Sequence, residues 1–377
     1  MRLPRIGIDA RKLDDYGIGT YIRHLLSGLQ AAATRFDFRI AARHPADPAL
    51  QSQALRTVVM SATNYSLGEL LALSRFVRRE GLDLFHAPHY VLPPLRKCRK
   101  IVTIHDIIHL LFPEFLSPAG RLYARLMLRF ASREADLVLT VSEASKADLV
   151  AHLDVPPERV RVVYNGVSER FRPQAEQSLA ETLRALGLTP GYVLFAGNLM
   201  PHKNVGRALE ALAALRGTLK EELPALVIAG HGRPDRVTAL RAQAERLRIV
   251  TKVVFLGHVD HAVLPALYGA ARAFIFPSLY EGFGLPPLEA MACGVPVVYG
   301  RNPALIEIVG AAGLAFDPRS TDDAAQALAR ALTDEELRQN LITAGIRRAR
   351  EFRWSDAVSQ TLAAYEELLD GSARGHA

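Results

Sequence analysis

ARAFIFPSLYEGFGLPPLEAMACGVPVVYG, residues 271–300, reads as strand, loop, helix and strand in one short stretch. Its first run is apolar without alternation, the pattern of a strand buried on both faces. That run stops at Pro277-Ser278, the chain turns through Leu279 to Gly284, and a helix follows around PPLEAMACG, closed by Gly294. VPVVYG then opens a second buried strand, so the stretch is a βα unit of a parallel sheet. Two carboxylates interrupt it: Glu281 in the strand-end loop and Glu289 eight residues later. With the helix beginning near Leu285 or Pro286, Glu289 sits about one turn in and can face back toward the loop. Both carboxylates can then reach one ligand.

The same unit recurs in both directions. Before the stretch lie RIGIDA (5–10), FDFRIAAR (36–43), TVVM (57–60), LDLFHAP (82–88), KIVTIHD (100–106), DLVLTVS (136–142) and VRVVYNG (160–166). After the polar connection SERFRPQAEQ (168–177) the pattern restarts with YVLFAG (192–197), ALVIAG (225–230) and TKVVFLG (251–257), and it ends with GLAFDP (313–318). Helical segments separate these runs, and from Asp322 onward the pattern is helical. The fold class is therefore α/β, two Rossmann-like doubly wound parallel sheets in tandem. Expected domains are 1–172, 173–353, and a C-terminal helix 354–377 packing back on the first. Ligands of open parallel sheets sit beyond the carboxyl ends of the strands, so the strand-end loops are expected to carry the chemistry, across one cleft.

At 377 residues the chain exceeds what one core sustains. No apolar run approaches the ~20 residues of a membrane span, and MRLPRIGIDA lacks a signal-peptide core. A cytoplasmic or peripheral protein is expected. Cys98 and Cys293 lack metal-ligand spacing and read as free thiols. Of the net charge of +7, the first half holds the excess: residues 1–172 carry 25 Lys/Arg against 17 Asp/Glu, and residues 173–377 carry 21 against 22. An anionic partner is expected for the first half; no zinc-finger spacing or RNA-binding signature supports nucleic acid.

Several strand ends are more polar than a core requires. Gly17-Ile18-Gly19 after the first strand precedes a helix whose free N–H groups suit an anion. His105-Asp106 ends the fifth strand. In the second half, FAGNLMPHKN places Gly197, Asn198, His202 and Lys203 before a helix, a cation beside a helix N-terminus that suits a phosphate. AGHGRP puts Gly230, Gly232 and Arg233 in a similar place.

EGFGLPPLE followed by AMACGVPVV resembles the donor-sugar motif of the family 4 retaining glycosyltransferases of the GT-B fold. GIGTY (17–21), the His105-Asp106 strand end, TVSEASKADL (140–149), YNGVSERFRP (164–173), the GNLMPHKN loop and FRWSDAV (352–358) agree in order, so the resemblance spans essentially the whole chain. It implies that Glu281 contacts the donor sugar's hydroxyls and that the backbone of Phe283, Gly284 and Leu285 meets sugar and diphosphate. Glu289 would accept hydrogen bonds from the ribose. Acceptor-only carboxylates suit a diol, because each hydroxyl donates. Lys203 resembles the lysine that neutralises the departing diphosphate, and His105 the histidine near the sugar's C6 hydroxyl, with Asp106 supporting its loop. Where many relatives carry an arginine, this chain has Asn198 or His202; Arg233 or the Gly17–Gly19 amides are the alternatives for a second positive element.

The resemblance further implies a sugar nucleotide donor, GDP-sugar favoured over UDP- or dTDP-sugar, with mannose or a related hexose transferred as in bacterial polysaccharide or lipid-linked oligosaccharide assembly. Front-face transfer is favoured over a Glu281 nucleophile, domain closure is expected to assemble the site, and no metal or other cofactor is expected, since the chain has no D-x-D triplet. The acceptor, a glycan or lipid-linked glycan, falls to the basic first half. There GRLYARLMLRFASREAD places Arg121, Arg125, Arg129 and Arg133 four residues apart, one stripe on a helix, near Arg96, Lys97, Arg99 and Lys100. That stripe is expected to meet an anionic membrane surface on the cytoplasmic face of the inner membrane. A glycosidase is disfavoured because its carboxylate pair commonly comes from different elements, and a dehydrogenase because the first strand lacks G-x-G-x-x-G. A non-catalytic sugar-nucleotide-binding scaffold is the remaining alternative, supported by Asn198 and His202.

Overall fold

A computed structural model describes residues 2–32, 35–45, 47–62, 66–95, 97–217 and 222–374; Arg96 of the basic cluster lies outside them. The chain forms two compact units, Met1–Gly166 with Arg353–Ala377, and Val167–Phe352. The first crossing falls at 166/167, six residues before the expected 172/173, and the second at 352/353, one residue early. The reason is local: Val167 N donates to Phe352 O at 3.1 Å, and Phe171 is buried with its ring edge-on to Tyr268, so segment 167–172 is tied to the second unit.

The first unit is a parallel sheet of β1 (Arg5–Asp9), β2 (Asp37–Ala42), β3 (Leu55–Val59), β4 (Leu84–Ala87), β5 (Arg99–Thr103), β6 (Leu137–Thr140) and β7 (Val160–Val162), in the order 3-2-1-4-5-6-7. Its helices are α1 (Tyr16–Leu29), α2 (Leu67–Glu80), α3 (Ile108–Leu111), α4 (Pro118–Glu134) and α5 (Glu143–Leu153). Local chemistry sets their ends: the Ser66 hydroxyl accepts from Glu69 N at 3.1 Å where α2 starts, and Gly81 closes it in the left-handed region at φ 60°.

The second unit runs α6 (Glu176–Ala185), β8 (Val193–Ala196), α7 (Val205–Ala214), β9 (Leu226–Ala229), α8 (Pro234–Arg246), β10 (Val253–Gly257), α9 (Leu264–Gly269), β11 (Ala273–Phe276), α10 (Leu285–Ala292), β12 (Val297–Gly300), α11 (Pro303–Ile308), β13 (Gly313–Phe316), α12 (Thr321–Thr333) and α13 (Glu335–Ala349). Its sheet order is 10-9-8-11-12-13, again parallel throughout. The strands β8, β9, β11 and β12 are buried along their whole length, which is why their sequences show no alternation.

Helix α14 (Trp354–Arg374) completes the first unit. Ala357, Val358, Ala364 and Tyr365 share a core with Ile22 and Leu26 of α1 and with strands β1 and β2, while α2, α4 and α5 cover the other face. Among the described residues no helix is long and apolar enough to cross a membrane.

Candidate active site

In each sheet the strand order reverses once: beside β1 and β4 in the first unit, beside β8 and β11 in the second. At such a reversal two successive crossovers leave in opposite directions and open a crevice at the strand ends. Pairing of Phe274 with Leu194 therefore brings the loop after β8 next to the loop after β11, although 78 residues separate Lys203 from Glu281.

Those loops are fastened together before any ligand is considered. Leu279 N donates to His202 O at 2.8 Å, the fully buried Ser278 hydroxyl lies 3.2 Å from the same carbonyl and 3.0 Å from Tyr280 O, and Asn302 Nδ2 donates to Ser278 O at 3.1 Å. Across this joint Lys203 Nζ meets both Glu281 oxygens, at 2.6 and 2.8 Å, with side chains only 12% and 10% exposed. The ammonium also stands 5.1 Å above the Phe276 ring. Helix α7 begins two residues after Lys203, so its positive end lies beside the same ammonium.

The loop from Glu281 enters α10 through Gly284, whose φ of 114° suits glycine and whose added Cβ would lie 2.5 Å from a Leu305 methyl. Pro286 and Pro287 follow, so of the first three helical residues only Leu285 carries an N–H. The Phe283 side chain is buried, edge-on to Phe352 at 5.7 Å. Glu289 sits in the second turn of α10. Its Oε2 accepts from the Tyr268 hydroxyl at 3.0 Å, and burial pushes its carboxyl up to about 7, against the pull of that hydrogen bond and of Arg170.

His202 and Asn198, which stand where many relatives carry an arginine, and Arg233, one alternative for a second positive element, each have contacts within the second unit. His202 is buried, and its part in the joint is its carbonyl. Asn198 Oδ1 accepts from Met200 N at 3.3 Å, shaping the loop. Arg233, 81% exposed at the start of α8, forks onto Asp235 at 3.1 Å. Gly17 and Gly19 both lie inside the first turns of α1, which starts at Tyr16. Gly19 N donates to Asp15 O at 2.5 Å, and a Cβ there would lie 2.0 Å from Leu13 O, so Gly19 serves close packing of the turn against the helix.

In the first unit His105 Nε2 donates to Pro88 O at 3.1 Å, since a carbonyl only accepts. Burial lowers its pKa to about 4, so near neutral pH the ring is an uncharged hydrogen-bonding group. Asp106 Oδ1 accepts from Ile108 N at 2.9 Å and holds the following turn. Behind them runs a buried polar chain: Tyr21 Oη and Thr103 Oγ1 at 3.2 Å, Thr103 Oγ1 and His86 Nε2 at 2.8 Å, and His86 Nδ1 and Tyr365 Oη at 2.7 Å. Along α4, Arg121, Arg125, Arg129 and Arg133 are all exposed, and Leu122 and Leu126 stand exposed among them.

Tyr268, Ser278, Asn302 and Arg170 were not picked out as site residues from the sequence. A tyrosine in an apolar helix and a serine at a strand end read as core and turn, and their partners lie 21 and 76 residues away.

Residues 16–171 match the family described as Glycosyltransferase Family 4, and residues 184–348 the family described as Glycosyl transferases group 1. O-antigen chain mannosyltransferase B of Escherichia coli is 34% identical over 287 residues, 76% of this chain and 74% of that protein. The chain belongs to glycosyltransferase family 4. This glycosyltransferase also resembles serotype-specific mannosyltransferase WbdA of Escherichia coli, 28% identical over 73% of the chain, of whose length it spans 34%. Among solved structures, Anabaena Alr3699/HepE in complex with UDP-glucose superposes with a TM-score of 0.77 at 21% identity, over 96% of this chain and 99% of that one. The two tandem parallel sheets are the GT-B fold.

Proposed function

We propose that this glycosyltransferase moves mannose, or a closely related hexose, from a GDP-sugar to a glycan or lipid-linked glycan acceptor, with retention of configuration and without a metal ion. The Lys203–Glu281 pair at the β8/β11 reversal carries the proposal. An arriving diphosphate offers Lys203 a better anion, and the sugar hydroxyls offer Glu281 donors, so donor binding exchanges one ion pair for two sets of charge-assisted contacts. As the bond from C1 to the diphosphate oxygen breaks, its electron pair passes to the phosphate, which Lys203 and the start of α7 stabilise. The acceptor oxygen attacks C1 from the same face, and its proton goes to the departing phosphate. Glu289 accepts from the ribose, and neutral His105 donates or accepts at the sugar rather than acting as a cation.

The mannosyltransferases among its relatives support the sugar and the glycan acceptor. A UDP-sugar donor is the second reading, favoured by the UDP-glucose complex of the structurally similar Anabaena protein. Calorimetric titration with GDP, UDP, ADP and dTDP separates the two, and NMR of the product formed from GDP-mannose reads the anomer. Transfer is expected to persist in EDTA; abolition by chelation overturns the metal-independent reading. Turnover of no nucleotide sugar by the wild type favours the scaffold.

For the acceptor side we propose peripheral attachment to the cytoplasmic leaflet through α4. Four exposed arginines match anionic headgroups, and Leu122 and Leu126, 60% and 55% exposed, can enter the interface beside them.

A further inference from the structure

Tyr268 is fully buried on α9, its ring edge-on to Phe171 at 5.8 Å and to Phe274 at 5.4 Å. Its one side-chain polar atom donates to Glu289 Oε2. The other groups that act on the Glu289 charge are few: Arg170, from the segment before α6, and the Cys293 thiol on α10 itself. Helix α13 meets α10 through Gly345 against Met291 and through Ile342 and Ile346 against Gly294, and β11 and β12 present apolar runs.

We propose that Tyr268 is a positioning residue of the nucleotide site: its hydroxyl fixes the Glu289 carboxylate in place and in its ionised form, ready to accept both ribose hydroxyls. This rests on the reading of Glu289 as the ribose acceptor. The chemistry is one of lone pairs. A ribose diol presents two donors, an ionised carboxylate has about four acceptor sites, and a protonated one turns one oxygen into a donor. Tyr268 occupies a single site on Oε2 and leaves Oε1 and the rest for the ligand. Because burial pushes Glu289 up to about 7 even against the pull of the Tyr268 hydroxyl and of Arg170, loss of that one donor hydrogen bond decides whether the group is charged near neutral pH.

Tyr268→Phe tests this, since it keeps the ring between Phe171 and Phe274 and removes only the hydroxyl. Carboxyl carbon NMR follows Glu289, assigned by the signal lost in Glu289→Gln, while calorimetry measures GDP and UDP binding from pH 6 to 9. Loss of a hydrogen bond to a charged group is expected to raise the Glu289 midpoint by about one pH unit. At pH 7 the ionised fraction then falls from about one half to about one tenth, so nucleotide affinity weakens roughly fivefold and recovers toward wild type by pH 9. The kcat with GDP-mannose at saturation is expected to hold while KM rises. A tyrosine that merely packs predicts a lower Tm with an unmoved midpoint and an unmoved pH profile, and that result overturns the proposal. Glu289→Gln with unchanged nucleotide affinity overturns the ribose reading itself, and Tyr268 with it.

Discussion

Lys203 and Glu281 bear opposite charges in a place where neither is well hydrated, so removing one side chain's charge strands the other. Lys203→Met keeps most of the aliphatic stem over Phe276 and leaves the Glu281 carboxylate 10% exposed without its partner at 2.6 Å. Glu281→Gln does the reverse to the ammonium. Breaking a buried pair from one side costs about 3–5 kcal/mol, and residual exposure brings this pair to or below the bottom of that range, about 2–3 kcal/mol for each single substitution. The double variant removes both charges together, and its cost is expected to stay near 1 kcal/mol, as for other replacements of a buried pair by neutral side chains. The coupling is then about 3 kcal/mol or more, well above the 0.2–1 kcal/mol of exposed pairs. In a unit of 150–250 residues 1 kcal/mol moves Tm by roughly 2–4 °C. Calorimetry on the full chain, following the transition of the second unit, is therefore expected to show each single variant about 4–12 °C below wild type and the double variant within about 4 °C of it. Strictly additive losses would refute the reasoning. All three variants are expected to lose transfer activity, so folding and catalysis part company in the double variant.

Glu289 also sets a pH dependence of stability. Its folded-state value near 7 lies above the ordinary 4.5, so the folded protein holds that proton longer than the unfolded chain. Stability from this group is complete below about pH 4.5 and lost as pH rises to about 7, on the order of 3 kcal/mol, and Glu289→Gln is expected to flatten that slope in pH-dependent unfolding. Tyr365→Phe leaves the buried His86 Nδ1 without its partner at 2.7 Å, and a loss of about 1–3 kcal/mol in the first unit is expected by calorimetry, with nucleotide affinity unchanged. Gly19→Ala forces a methyl against the Leu13 carbonyl and is expected to lower the Tm of the same unit, again without changing nucleotide binding. Leu122→Glu with Leu126→Glu is expected to abolish binding to anionic liposomes at low salt; equal binding of wild type to neutral and anionic liposomes would remove the membrane proposal.

The strands were legible because burial on both faces writes itself as unbroken apolar runs: VLFA, LVIA and AFIF need no partner to be recognised. The places of Lys203 and Glu281 at strand ends were legible for the same reason, but their mutual pairing was not. It depends on β11 lying beside β8, a matter of strand order that no local pattern encodes. The Gly17-x-Gly19 pattern does not by itself reveal that the glycine at 19 is required by a carbonyl six residues earlier. The arginine stripe on α4 follows from four-residue spacing alone, whereas the exposure of Leu122 and Leu126 follows from which face of α4 turns to the core, through Ala124, Leu128 and Ala131.

The place of α14 in the first unit also bears on how the chain is made. A ribosome delivers β1 to β7 early, yet Val358 and Tyr365 emerge only after all of residues 167–352 have been synthesised. At 5–20 residues per second that interval is roughly 10–40 s. Throughout it the face of the first sheet bearing α1 lacks its last apolar cover, and His86 lacks the hydroxyl that completes its buried hydrogen bonds. The second unit, continuous in sequence, can close during the wait. Of the two units, the one begun first is thus the one completed last, and loss of α14 would be felt at α1, β1 and β2, more than 300 residues earlier in the chain.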